Sequence, residues 1–338
     1  MTLFDLLVSA CCEADRALLV KQDIPEVSAV LRVLERTVAE HWREAVSEAV
    51  EDLEERLLRI PTQPGFRDVE PVATAEDPDE AREEILLALF LALREALGRP
   101  LSPPRAATVR SAVRRLARAG AVSQGLVFGD GQQSAQRLLL SGEREVLLLL
   151  RGHVQNVEPR TRQAILPYLS NGAARRPATA AELAVFPARR PGEPPRALQE
   201  LLDDVRRALD ARGSFVPAVL DVWAYRQFNL GIFEAGAAAG AVAFEAVNNP
   251  PLGPDGRTTP FCRYVHGRIV SIDQARAQVR GFTQAVLEGD VDGMVDAWPL
   301  LSSQEARDER RAADRFAAVG FPPYHWLCRT IVRPVFGV

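Results

Sequence analysis

Apolar residues recur every three or four positions between residues 26 and 60. Such steps return to the same side of an α-helix and produce one continuous apolar stripe. Pro25 precedes the stripe, and Pro61 and Pro64 follow it. The pattern predicts one long helix whose stripe serves as a core face or as an interaction element. The stripe consists of Val27, Val30, Leu31, Leu34, Val38, Trp42, Val46, Val50, Leu53 and Leu57.

A second helix is predicted from Asp77 to about Gly98. Acidic residues occupy its first turn, where the helix dipole favours negative charge, and prolines at positions 100, 103 and 104 prevent its continuation. We expect the two helices to form a helical hairpin.

Three further elements are predicted towards the C-terminus. Residues 197–212 have the pattern of an amphipathic helix that ends at Gly213. Residues 218–247 are predicted as a helix, and their many small side chains suit close helix packing. Residues 264–272 alternate around Gly267 and contain β-branched residues, a pattern typical of a short β-hairpin.

These elements predict a mainly α fold with a small α+β module at the C-terminus. We divide the chain into three parts: an acidic helical hairpin region at 1–100, a basic helical region with a proline-rich linker at 101–196, and the C-terminal module at 197–338. The linker is placed at 171–196 because this stretch contains an Asn-Gly pair and, within residues 186–196, four prolines.

The composition is that of an ordinary globular protein. The chain has 338 residues, 47% of them hydrophobic and 25% charged, and a formal net charge of −4. These values exclude a wholly disordered chain, a collagen-like repeat and a small disulfide scaffold. The most apolar window, residues 85–93, is far shorter than the roughly 20 residues that span a bilayer, and acidic residues interrupt the apolar N-terminus. We expect a soluble, intracellular protein with no membrane partner.

Charge is distributed unevenly along the chain. Residues 1–100 contain 22 acidic and 11 basic residues, whereas residues 101–170 contain ten arginines and four acidic residues. Part of this basic excess falls on one predicted helix, as Arg110, Arg114, Arg115 and Arg118. These arginines are candidates for weak, salt-sensitive contact with DNA phosphates. A solvated helix face that pairs with the acidic N-terminal helices is the interpretation we favour, because there are no interleaved aromatic residues and no recognisable nucleic-acid motif.

Cysteine and histidine residues define a candidate metal site in the last third of the chain. Cys262 lies in one loop, and His325 and Cys328 form a His-x-x-Cys pair in another. A structural zinc ion takes four ligands, usually Cys or His, so we predict one structural zinc with Asp255, His266 or water as the fourth ligand. The alternatives are a disulfide between the two cysteines, or two buried thiols beside a core histidine.

The two loops and the preceding helix resemble the phage Mu F-like domain of minor head proteins, a group that includes the SPP1-type head morphogenesis proteins. The first matching segment has the family's Asp-x-Arg-Thr followed by a Cys and a Gly, and the second has its Pro-x-His-x-x-Cys-Arg. An Asn-x-Gly in the preceding helix is also similar. The matching residues are Asn229, Gly231, Gly240, Asp255, Arg257, Thr258, Cys262, Gly267, Pro323, His325, Cys328 and Arg329.

The resemblance covers residues 215–332, about a third of the chain, and has two departures. Asp221-Val222-Trp223 stands near the place of the family's Arg-Thr-Glu, and Trp326 replaces an Asn. The resemblance implies a minor capsid component that associates with the portal and other procapsid proteins. It would reside in the bacterial cytoplasm during assembly and then in the phage or phage-like particle.

A zinc-dependent hydrolase is the alternative function. It would use the same Cys and His ligands, a metal-bound water and a general base, for which Glu245 and Asp255 are the nearest candidates in sequence. No HExxH or His-x-Glu sequence accompanies the ligands, and neither cysteine stands in a recognisable nucleophile sequence. We therefore assign no catalytic residue and expect no enzymatic activity and no small-molecule substrate.

Overall fold

The computed structural model describes most of the chain, and its structure is mainly helical with one small sheet. The described residues are 24–59, 78–129, 133–174, 196–210, 215–248, 259–301, 303–308, 312, 314, 316, 320–325 and 328–337. The predicted fold class, mainly α with a small α+β region at the C-terminus, is confirmed.

Ten helices and three strands lie in the described residues. The helices are α1 (Pro25–Arg59), α2 (Pro78–Gly98), α3 (Pro103–Ser123), α4 (Gln133–Ala174), α5 (Arg196–Asp210), α6 (Phe215–Ala238), α7 (Pro260–Val265), α8 (Ile272–Glu288), α9 (Val291–Ala297) and α10 (Ser303–Arg307). The strands are β1 (Ala241–Asn248), β2 (Ile269–Ser271) and β3 (Thr330–Phe336).

The chain separates into two compact units. The larger unit comprises residues 1–39, 100–152 and 214–338, and the smaller unit comprises residues 40–99 and 153–213. The three-part division made from the sequence therefore stays a prediction.

The helices predicted at 26–60, 77–98 and 197–212 are confirmed as α1, α2 and α5. The apolar stripe of α1 is a core face, since its members from Val27 to Leu53 are at most 8% exposed. In the smaller unit, the indole of Trp42 also donates to the carbonyl oxygen of Leu209 at 3.3 Å.

Helices α3 and α6 of the larger unit cross at two glycines. A β-carbon on Gly231 would lie 2.1 Å from the carbonyl oxygen of Ala117, and one on Gly120 would lie 2.1 Å from that of Phe228. Real β-carbons do not approach backbone this closely, so the crossing requires glycine at both positions. The close packing predicted from the small residues of α6 is confirmed here.

The sheet corrects two predictions. The helix predicted for 218–247 ends at Ala238, and residues 241–248 form β1, the central strand of the order β2-β1-β3. The β-hairpin predicted within 264–272 is also wrong. Its first residues belong to α7, and β2 pairs antiparallel with β1, with Phe244 opposite Val270. β1 and β2 pair with segments that are more than 20 residues away in the sequence. A local sequence pattern contains no information about such pairing.

Candidate metal centre

The first turn of α7 positions Cys262. Thr259 caps this helix by accepting the Cys262 N–H at 3.2 Å, and Pro260 occupies its first position. Both residue types suit a helix start. The threonine oxygen accepts a helix N–H that has no partner within the helix, and proline has no N–H that would require a partner. From β1, the Asn248 amide donates to the Cys262 carbonyl oxygen at 2.7 Å. These contacts fix the backbone that carries the thiol.

A tight turn brings His325 and Cys328 together. The Cys328 N–H donates to the His325 carbonyl oxygen at 3.2 Å. The turn is anchored by the Leu301 N–H, which donates to the Tyr324 carbonyl at 2.7 Å, and by the Trp298 indole, which donates to the Pro323 carbonyl at 3.3 Å. The His-x-x-Cys spacing therefore places both side chains at one end of the turn.

The three predicted Cys and His ligands converge. Cys262 Sγ lies 3.0 Å from His325 Nε2 and 3.9 Å from Cys328 Sγ, and all three ligand atoms lie within 4.8 Å of one another. Two zinc–sulfur bonds of about 2.3 Å at a tetrahedral angle would place the sulfurs about 3.8 Å apart. The group can thus hold a metal ion with two sulfurs and one imidazole nitrogen.

The two sulfurs are not joined in a disulfide. Both cysteines are free, and their separation of 3.9 Å is far greater than the bond length of about 2.05 Å. Of the two alternatives to a metal site, only the pair of buried thiols beside a histidine agrees with this geometry.

The group is buried in the protein core. Cys262, His325 and Cys328 are 5%, 8% and 2% exposed, and both thiols belong to an apolar cluster that includes Phe261 and Tyr324. The phenol ring of Tyr324 packs edge-on against Phe261, with 5.3 Å between ring centroids.

The two thiols differ in acidity. The pKa of Cys262 is lowered, chiefly because the Cys328 thiol donates a hydrogen bond to its sulfur, although burial opposes this effect. The pKa of Cys328 is raised well above its ordinary value because burial disfavours the thiolate, and donation to Cys262 adds to the rise. A bound cation would favour the thiolate form of both.

Polar side chains from β1, from β3 and from the start of α7 surround the group. The Thr330 hydroxyl donates to the Asn248 side-chain oxygen at 3.0 Å and lies 3.6 Å from Cys262 Sγ. The Thr259 hydroxyl lies 3.2 Å from His325 Nε2. Sequence reasoning did not identify these three residues. The Thr-Pro pair at 259–260 is a recognisable helix start, whereas no local pattern singles out Thr330 or Asn248.

The remaining residues of the family resemblance support this region from neighbouring elements. The Asn229 side chain of α6 donates to the Thr330 carbonyl at 3.2 Å and accepts the Val332 N–H at 3.0 Å, which ties α6 to β3. Gly267 has a φ of 77° in the turn after α7, and its N–H donates to the Ala246 carbonyl at 2.8 Å.

Arg329 forms a buried ion pair next to the site. Its guanidinium lies 2.5 Å from the carboxylate of Asp221 and 4.6 Å from the centre of the Tyr225 ring. Asp221 begins the segment that departs from the family pattern, and Trp223 of the same segment donates to the Gly142 carbonyl at 2.9 Å. Asp221 and Trp223 thus take part in the packing of α6, whereas Trp326, the other departure, lies outside the described residues.

Other candidates lie apart from the group or outside the described residues. His266 is exposed, and its Nδ1 accepts the Asn248 N–H at 3.2 Å. Glu245 binds Arg333, with 3.1 Å between Oε2 and Nε, and faces the side of β1 opposite to Ala246, which packs with Cys262. Asp255, Arg257 and Thr258 lie outside the described residues. In the part of the chain that is described, no fourth Cys, His, Asp or Glu joins the group.

The arginines suggested for DNA contact lie on α3. Arg114, Arg115 and Arg118 are exposed. Arg110 pairs with Glu143 of α4 at 2.7 Å. Because Glu143 lies outside the acidic N-terminal helices, this contact does not test the pairing predicted for the helix face. DNA contact stays a prediction.

Comparison of the chain with protein-family models, curated proteins and solved structures gave no match. Within the described residues, no helix combines the length and apolar character needed to cross a membrane.

Proposed function

We propose that this chain is a phage or prophage minor head protein that associates with the portal during procapsid assembly. Its C-terminal region would be a Mu F-like module held together by one structural zinc ion. Cys262, His325 and Cys328 would bind the ion, and Asp255 or water would complete the four ligands.

The convergence of residues from the family resemblance carries the proposal. Asn229, Cys262, Cys328 and Arg329 come from segments up to 100 residues apart in the sequence. The Thr330 carbonyl accepts from Asn229, and the Thr330 hydroxyl lies 3.6 Å from Cys262 Sγ and interacts with the Cys328 thiol. This convergence supports the proposal because chance matches in separate segments have no reason to meet in space.

Burial favours a structural role for the metal over a catalytic one. All three ligands are less than 9% exposed, whereas a catalytic zinc keeps an open position for water and substrate. Of the two general-base candidates, Glu245 is the one that lies within the described residues. Its side chain points away from the group and is paired with Arg333. A structural zinc would add its binding free energy to that of folding.

Metal analysis tests the zinc. Protein purified under reducing conditions should contain about one zinc per chain, and Cys328→Ala should lose the metal and unfold at a lower temperature, because metal binding is coupled to folding. His266→Ala is the matched control, because this exposed histidine lies outside the group, and it should keep the zinc. Metal-free protein that melts at the same temperature with and without added zinc would instead identify two buried thiols.

Partner binding tests the function itself. The gene should lie beside genes for a portal, a terminase and a major capsid protein, and the neighbouring portal protein should co-purify with this chain after co-expression. An unrelated portal protein is the control. Absence of such neighbours, or equal recovery with both portals, would contradict the proposed role whatever the metal content.

A further inference from the structure

Helices α1 and α2 of the smaller unit border an open groove. Ala49 of α1 and Ala88 and Ala92 of α2 are among its lining residues, and its volume is about 410 Å³. These three short side chains leave room between the two helices.

Two exposed leucines form one wall of the groove. Leu87 and Leu91 are 58% and 53% exposed and lie one helical turn apart on α2. Other large apolar residues of this helix, Leu89 and Leu93, are at most 1% exposed. The two exposed leucines therefore belong to a separate apolar face that the unit itself does not bury.

Carboxylates line the rim on both sides. Glu48 and Asp52 stand on α1 and Glu95 on α2, and the single basic residue of the lining, Arg99, pairs with Glu48 and lies 3.9 Å from Glu95. The lining therefore contains more acidic than basic groups, three carboxylates and one guanidinium. Lysine or arginine side chains of a partner would be attracted to this rim.

We propose that this groove binds a basic amphipathic helix of a partner protein. The partner's apolar side chains, spaced four residues apart, would pack on the three lining alanines and against Leu87 and Leu91. These two leucines are also four residues apart, so the spacing on the two helices matches. The partner's basic side chains would face this acidic rim, chiefly Glu95, whose side chain is 77% exposed. The inference concerns the smaller unit and does not depend on the metal or on the proposed role in phage assembly.

Peptide binding to the full chain tests this inference. The probe is a labelled 18-residue alanine-based helix with leucines spaced four apart and arginines on its flanks, and a matched peptide carries glutamates in place of the arginines. By fluorescence anisotropy, the basic peptide should bind at least about tenfold more tightly than the acidic one, and added salt should weaken its binding.

A matched pair of variants locates the binding. Leu91→Gln should weaken binding of the basic peptide about fivefold, because about half a leucine side chain is no longer buried on binding. Leu140→Gln removes a leucine that is equally exposed, at 53%, on α4 outside the groove, and it should leave binding unchanged. Thermal melts check that both variants fold.

Several results would overturn the inference. Equal affinity for the two peptides would show that charge does not select the ligand, and equal effects of the two variants would place binding elsewhere. Self-association of the wild type without peptide, abolished by Leu91→Gln in sedimentation, would identify a second copy of the chain as the occupant.

Discussion

Glu145 of α4 is fully buried in the larger unit and is held by two side chains of α6. Arg226 forms an ion pair with its Oε1, and the Gln227 amide donates to Oε2 at 2.8 Å. The Arg226 guanidinium also lies over Phe282 and Trp298, at 4.6 and 5.1 Å from the ring centres. Burial raises the pKa of Glu145 to about 7, against the opposing effect of Arg226.

This raised pKa predicts a pH-dependent stability. Since the folded protein holds the Glu145 proton more tightly than the unfolded chain, the contribution of Glu145 is largest below about pH 4.5 and is lost as the pH rises to about 7. Relative to Glu145→Gln, which has no titrating group here, the wild type should lose up to about 3 kcal/mol of unfolding free energy over that range. Denaturant unfolding of both proteins between pH 4.5 and 8 measures the difference, and parallel pH curves would contradict it.

Sequence reasoning recognised some site residues and missed others for a physical reason. Cys262, His325 and Cys328 are recognisable because few residue types bind soft metal ions, so their identity alone makes them candidates. Asn248 and Thr330 are ordinary strand residues. Their role follows only from the hydrogen bonds that they make to each other and to Cys262.

At the scale of elements, the crossing of α3 and α6 depends on the absence of two side chains. Gly231→Ala should lower the free energy of unfolding by about 1–3 kcal/mol, because its β-carbon would overlap the Ala117 backbone and outweigh the better helix propensity of alanine. Thermal denaturation compared with wild type measures the loss.

Gly281→Ala in α8 is the control for this substitution. A β-carbon there would lie 3.5 Å from that of Ala297, an ordinary contact, so the variant should be neutral or more stable by up to about 1 kcal/mol. Equal melting temperatures for the two variants would show that the crossing tolerates a methyl group.

Helices and strands were predicted with different success because they depend on different contacts. The helices α1, α2 and α5 follow from apolar periodicity and from prolines or glycines at their ends, and their hydrogen bonds join residues four apart. The segment 241–248 contains Ala, Val, Phe and Glu, which suit either structure. It is a strand because β2 and β3 supply partners on both sides.

At the scale of the whole molecule, charge limits the predicted contact with DNA. The basic stretch at 101–170 belongs to a chain whose first hundred residues carry a net charge of −11, from 22 acidic and 11 basic residues, and whose total is −4. The pairing of Arg110 with Glu143 reduces the free basic charge further. Any DNA contact through α3 is therefore expected to be weak and sensitive to salt.

The two compact units could not be predicted from the sequence. Each gathers separate stretches of chain, and α1 and α4 have residues in both. Composition and proline content vary along the chain, whereas compact units depend on which helix faces meet in three dimensions. The boundaries drawn from charge and from the linker at 171–196 could not anticipate such an assignment.

The sequence by itself determined the helical class, the approximate ends of α1, α2 and α5, the apolar stripe of α1 and the residue types of the metal group, because these features depend on local periodicity and on side-chain chemistry. Only the tertiary structure decided that Cys262 meets His325 and Cys328, that residues 241–248 form the central strand, and that Glu145 is buried against Arg226. Each of these joins segments more than 20 residues apart, and such contacts form only when the packing of the whole unit stabilises them.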